Sequence, residues 1–248
     1  MRSLNPIRAW RAMLALPNTS PLKTMTIAFV VALTCSILVS LTAVGLKPLR
    51  EANRLGEGLL SLTALLQSLG VDKARKTFIE RTSGAPVKRD LKSRSDLSVE
   101  QDLAGLVQIE DVLTVYEVRA GERLEQVILP IRGVGYKSMM KGYLALEADL
   151  NTIAALTFYE QDETPGMGAR IMEPEWQAQW ADRQTMDDSG EIRIEVVKGR
   201  GQWPFEVDGI SGATYTGWGV TDLVRFWLGP DGYGPYLARL NKQRESGS

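Results

Sequence analysis

The chain contains no histidine. Without an imidazole there is no Ser-His-Asp or Cys-His catalytic arrangement, and no His-ligated zinc or haem. There is one cysteine, Cys35, so an internal disulfide, a CxxC redox pair and a four-cysteine iron–sulfur site are all excluded. Redox chemistry, if the chain takes part in any, has to come from an organic cofactor. A surplus of either charge is also missing. The 29 basic and 30 acidic residues leave a net charge of −1, which gives no basic footprint for nucleic acid. What is present is the composition of a folded protein: 248 residues, 44% apolar and 24% charged.

One segment lacks charge altogether. Thr24 to Gly45 reads TMTIAFVVALTCSILVSLTAVG. As a helix it spans roughly 33 Å, against a hydrocarbon core of about 30 Å. The apolar region of a cleaved signal peptide is shorter, about 7 to 15 residues, so residues 24–46 are expected to form an uncleaved transmembrane helix. Arg2, Arg8, Arg11 and Lys23 precede it, with no acid among them, and Lys47, Arg50 and Arg54 follow it. Four basic residues against three place residues 1–23 in the cytoplasm and the remainder outside, in a periplasm. Pro6, Trp10, Leu14 and Leu16 suit an interfacial segment or a disordered tail equally.

Residues 47–100 read as connecting helices and a loop. Leu59, Leu60, Leu62, Leu65, Leu66 and Leu69 make an apolar stripe that Gly70 would stop, Val71–Glu80 suggests a second short helix, and the polar run Gly84–Glu100 reads as a loop. Residues 101–248 read as one α+β domain. Asp111–Val118 and Leu124–Leu129 flank Arg-Ala-Gly-Glu as a hairpin, and Gly142–Glu147 pairs with Thr152–Tyr159 across Ala-Asp-Leu-Asn. Ile192, Ile194 and Val196 alternate with charged residues as a half-buried strand. Trp176 and Trp180 share a helical face. Val220, Leu223, Val224 and Trp227 line one side of a helix over Thr216–Leu228, which Gly229-Pro230 ends, and Tyr236–Lys242 suggests a last short helix. The expected architecture is an antiparallel sheet packed by helices. Trp176, Trp180 and Trp227 are expected in the core.

Asp208–Thr216, DGISGATYT, stands immediately before that helix. Its plainest reading is a turn and an N-cap. A second reading starts from what a phosphate needs. Gly212 and Ala213 leave backbone N–H groups uncovered, and the helix start adds unpaired donors and a favourable dipole. Thr214 would present a hydroxyl in that anion-friendly place, where a phosphate could esterify it.

DGISGAT resembles the flavinylation motif of membrane-bound respiratory complexes. The likeness extends to KGYLALEADLNTIAALTFYEQDETPGMG, PEWQAQW, VDGISGATYTGWGV and FWLGPDGYGPYL, in order, over roughly residues 128–241. Together these blocks resemble the NqrC family, the FMN-binding subunits of the sodium-translocating NADH:quinone oxidoreductase. The resemblance implies one transmembrane helix in a bacterial inner membrane, a periplasmic FMN-binding domain, and FMN joined to Thr214 by a phosphoester. A separate flavin transferase would attach it, using FAD and releasing AMP. Asp208, Ser211, Gly212 and Ala213 match the rest of the motif, with roles in transferase recognition and phosphate placement.

The same resemblance places the loop Glu163-Thr164-Pro165-Gly166-Met167-Gly168 against the isoalloxazine ring. Thr164 could bond the polar edge of the ring, and Met167 could give it a soft apolar contact. Gly133–Ser138, GVGYKS, departs from the family's G-x-G-L-W-S. Tyrosine and lysine occupy the Leu-Trp places; Tyr136 would substitute for the family's tryptophan in shielding the flavin, and Lys137 would raise its potential. Lys141 also stands where the family often has an aromatic residue. Trp203, Tyr215 and Trp218 flank the proposed site.

The implied function is an electron relay among the subunits of a membrane complex, with no substrate site of its own. Sodium transport would belong to the other subunits, since the single apolar span carries no carboxylate. The nearest alternative is the threonyl-FMN subunit of the related ferredoxin-coupled, Rnf-type complex. The ending FWLGPDGYGPYL and the long insertion before Val112 favour the first family. A flavin-free, membrane-anchored interaction domain is the alternative of a different class.

Overall fold

The computed structural model describes residues 11, 15, 17, 19–71, 73–88 and 93–246. Pro6, Trp10, Leu14 and Leu16, read above as an interfacial segment or a tail, lie outside the described residues. Two units divide at Leu55/Gly56. The first contains most of the apolar part of helix α1, which runs from Pro21 to Ser68 without a break. The expected membrane helix and the leucine-striped helix are therefore one element. Pro48 lies inside it and removes one backbone donor, but does not end it. Over Pro21–Leu49, 29 residues, α1 is long and apolar enough to cross a membrane. Its large side chains, among them Phe29, Val39 and Leu41, are exposed in the isolated chain. Thr26, Thr34 and Thr42 turn their hydroxyls onto carbonyls four residues back, at 2.7 to 2.8 Å. Each of these polar protons is thus satisfied within the helix, as an apolar solvent demands.

Gly70, at φ +69°, lies just past the end of α1 in the left-handed conformation that glycine adopts freely. Strand β1 follows at Arg75–Glu80. This corrects the short helix expected over Val71–Glu80. Thr77, Phe78 and Ile79 are β-formers, and β1 pairs with a later strand along its full length, from Arg75↔Glu117 to Glu80↔Val112, burying Ile79 completely. The polar run after it holds two short strands, β2 (Pro86–Val87) and β3 (Arg94–Asp96), the latter paired with β4 (Gln108–Glu110).

The two expected hairpins are present. β5 (Val112–Ala120) and β6 (Arg123–Val134) turn through Gly121 at φ +64°. β7 (Met139–Glu147) pairs with β8 (Ile153–Glu160). With β1 and β2 they form one six-stranded antiparallel sheet in the order β2-β1-β5-β6-β7-β8. The stretch 47–100 thus supplies strands to the sheet of the domain expected at 101–248.

Side chains alternate across this sheet with period two. Val127, Leu129, Ile131, Leu144 and Leu146 enter the large core, while Ile128, Tyr143 and Ala145 face the other way. There Leu62 and Leu65 of α1 cover them, and the Tyr143 hydroxyl donates to the Gly58 carbonyl at 3.1 Å. The large core is closed by α2 (Pro174–Gln177) with the 3-10 turn Ala178–Trp180, by α3 (Thr214–Leu228) and by α4 (Gly234–Ser246). Trp176, Trp180 and Trp227 are buried in it, as expected, and the first two meet edge to face at 5.8 Å. Of the strand expected over Ile192–Val196, only β9 (Glu195–Val196) forms, paired in parallel with β10 (Glu206–Val207). The burial alternation does hold: Ile194 and Val196 are buried and Arg193 is exposed.

Candidate cofactor site

The site begins where α3 begins. Gly212 takes φ +75°, a conformation open to glycine, and Ala213 follows as an N-cap without a capping side chain. The first N–H groups of α3 therefore have no acceptor from the helix or from its cap. Thr214 is the first helical residue and is exposed. The motif's hydroxyls fall into different environments. Ser211 is exposed on the turn, whereas Thr216 is only 2% exposed and donates to Glu163 Oε2 at 2.8 Å. Thr214 alone among them combines an exposed hydroxyl with the first position of the helix.

Two cavities share the wall Gly212-Ala213-Thr214. The larger, about 310 Å³, is lined by Val196–Gly199, Gly209–Ser211, Gly217 and Trp218. The smaller, about 190 Å³, is lined by Tyr136, Thr164, Met167, Gly168, Tyr215 and Thr216. Met167 and Thr164 are brought together by a tight turn, Met167 N–H to Thr164 carbonyl at 3.1 Å, with exposed Gly166 at φ +73° and exposed Pro165 between them. Tyr136 stacks on Tyr215 at 5.5 Å, and Tyr215 meets Trp218 edge to face at 5.3 Å. These three rings are all more than half exposed.

Glu163 lines neither of these two cavities. It is 3% exposed, and its carboxylate accepts from Lys137 N–H at 2.9 Å, Ser138 N–H at 2.9 Å, Ser138 Oγ at 3.1 Å and Thr216. Burial raises its pKa, but those hydrogen bonds, led by Lys137 N–H, outweigh burial and hold the group below the ordinary glutamate value. Added Cβ atoms on Gly135 and Gly168 would stand 2.7 and 2.9 Å from the two carboxylate oxygens, so glycine is needed at both. Asp208 also acts inside the scaffold. Its carboxylate accepts from Gly201 N–H at 2.8 Å, and its carbonyl accepts from Trp176 Nε1 at 2.9 Å. Lys137 contributes its backbone while its side chain is exposed, and Lys141 pairs with Glu160 across the sheet at 2.9 Å. Trp203 is exposed and lines neither cavity.

Residues 135–229 match the model of the FMN-binding domain family. The C subunit of the Na(+)-translocating NADH-quinone reductase of Vibrio parahaemolyticus is 35% identical, covering 90% of this chain and 96% of that one. The chain belongs to this family of reductase C subunits. The Pseudomonas aeruginosa C subunit is 34% identical, with 90% and 97% covered. Among solved structures, the crystal structure of Shewanella oneidensis NqrC matches with a TM-score of 0.63 at 27% identity, covering 71% of this chain and 88% of that one. The C subunit from Parabacteroides distasonis gives 0.54 at 25%, with 73% and 89% covered.

The residues present fit a flavin nucleotide. The exposed threonine stands beside open N–H donors suited to a phosphate, and the adjoining cavity is walled by two tyrosines and a thioether suited to a flat ring. Val196–Gly199, Gly209, Ile210 and Gly217 are cavity residues that sequence reasoning misses. Gly217 lies in α3, and the others are set in place by a two-residue strand pair, which carries no periodic signal. Lys198 beside Gly199 is a hint at most.

Proposed function

We propose that this chain is the FMN-bearing electron-carrier subunit of a sodium-translocating NADH:quinone reductase, with the flavin joined to Thr214 through its phosphate. The observation that carries this reading is the exposed hydroxyl of Thr214 at the open N-terminus of α3, on the wall shared by two cavities. In attachment the Thr214 hydroxyl loses its proton and its oxygen bonds to phosphorus. The pyrophosphate bond of FAD breaks and AMP leaves, with a flavin transferase as catalyst. The first N–H groups of α3 would hold the phosphate. Tyr136, Tyr215 and Met167 exclude water from one side of the ring cavity, and Thr164 offers its hydroxyl to the polar edge. Ser211, Gly212 and Ala213 shape the turn that presents Thr214, and Asp208, with Pro165 and Gly166, keeps the surrounding loops in place. The bound flavin accepts and donates electrons; the protein supplies position and electrostatics. Helix α1 anchors the domain in the inner membrane, on the periplasmic side and among the partner subunits.

A denaturing gel viewed under ultraviolet light tests the linkage. Protein matured in its own host should give a fluorescent band at the chain's own mass. Thr214→Ala should remove it, and Thr214→Ser should retain part of it. A dark wild-type band, with no added flavin nucleotide by intact-protein mass spectrometry, would sink the reading.

A further inference from the structure

Glu163 occupies a position that flavin binding alone does not explain. Its carboxylate stands one layer behind the smaller cavity: Thr164 is its neighbour in the chain, a Cβ on Gly168 would lie 2.9 Å from Oε2, and Thr216 bonds to it at 2.8 Å. Its hydrogen-bond partners at residues 137, 138 and 216 are all donors, so it is held as an anion. We infer that Glu163 is a positioning residue that also sets the flavin's reduction potential, its fixed negative charge opposing the addition of electrons to a ring seated in the cavity of Tyr136, Thr164 and Met167.

This rests on the FMN reading above. It also reverses the sign expected from Lys137 alone. That ammonium is exposed and screened by solvent and salt, whereas the buried carboxylate is screened much less. The carboxylate therefore outweighs the ammonium, and the two together lower the potential.

Glu163→Gln separates charge from structure. The amide can keep its oxygen toward the backbone N–H groups of Lys137 and Ser138 and donate its NH₂ to Thr216, whose hydroxyl can turn to accept. Redox titration of the full-length, flavin-loaded protein in detergent, followed by visible absorbance, gives the readout. The Glu163→Gln midpoint should move positive, changing the oxidised-to-reduced ratio at a fixed ambient potential about tenfold, which is about 59 mV for a one-electron couple. Lys137→Gln should move it in the negative direction by less. Ser138→Ala removes a donor that partly neutralises the carboxylate, so it should move the midpoint negative. An unchanged or negative shift in Glu163→Gln overturns the inference. If that variant does not accumulate, Ser138→Ala decides: a negative shift supports the inference, and no shift or a positive one overturns it. Absence of covalent flavin from the wild-type protein is a separate outcome, and it overturns the Thr214 reading itself.

Discussion

Thr214 and Thr216 are close neighbours in the chain and chemically alike, yet the fold leaves one exposed and makes the other a strut. Thr214 opens α3 with its hydroxyl exposed, whereas Thr216 is buried and commits its proton to Glu163. Thr216→Val keeps the shape and removes that donor. It should destabilise the protein by about 1.5–3 kcal/mol, the range for a hydrogen bond to a charged group, read by urea denaturation at neutral pH. The pH dependence has a defined sign. The Glu163 pKa is lower folded than unfolded, so its contribution is complete above the unfolded value and is lost as pH falls through the folded one. The gap between wild type and Thr216→Val should therefore narrow progressively below about pH 4.5, the ordinary glutamate value.

At the scale of elements, the sequence shows what is periodic and hides what is assembled. Helix α3 is legible because Val220, Leu223, Val224 and Trp227 recur with helical spacing and Gly229-Pro230 closes it. The β5–β6 and β7–β8 hairpins are legible from alternation and turn residues. Strand β1 is not, because a short segment of mixed polarity acquires its identity from its partner. That partner is β5, which lies beyond the intervening polar run and sets the register from Arg75↔Glu117 to Glu80↔Val112. Ile79→Ala tests the assignment. In a strand that buries Ile79 completely it should cost about 2–5 kcal/mol in urea denaturation, whereas in a solvated connector it would be nearly neutral. The Val196–Gly199 and Gly209–Ile210 walls of the larger cavity are not legible, because β9 and β10 are too short to show a period. Nor is the burial of Glu163, since a loop carboxylate reads as solvated until its donors from residues 137, 138 and 216 are known. The fit of α3 to the sheet includes a close approach of backbone to backbone. A Cβ on Gly219 would lie 2.8 Å from Gly135 Cα and from the Val134 carbonyl oxygen, both backbone atoms. Gly219→Ala should cost about 1–3 kcal/mol by overpacking and reduce the fluorescent band, because α3 carries Thr214.

For the whole molecule, helix α1 divides its work by composition. Its Pro21–Leu49 part has an apolar exterior suited to lipid, and its last turns bring Leu62 and Leu65 to the sheet. The chain should therefore stay with membranes through alkaline extraction. If the domain is periplasmic as proposed, a protease added to spheroplasts should degrade it while leaving cytoplasmic markers intact; full protection would overturn that placement. The convergence on Glu163 bears on the order of maturation. One carboxylate ties together three segments that lie far apart in sequence, around residues 137, 163 and 216. If attachment at Thr214, as proposed, requires the finished start of α3, a short peptide containing the motif would not be loaded. The modifying enzyme would then read a finished surface, and flavin loading would serve as a certificate that the domain had already folded.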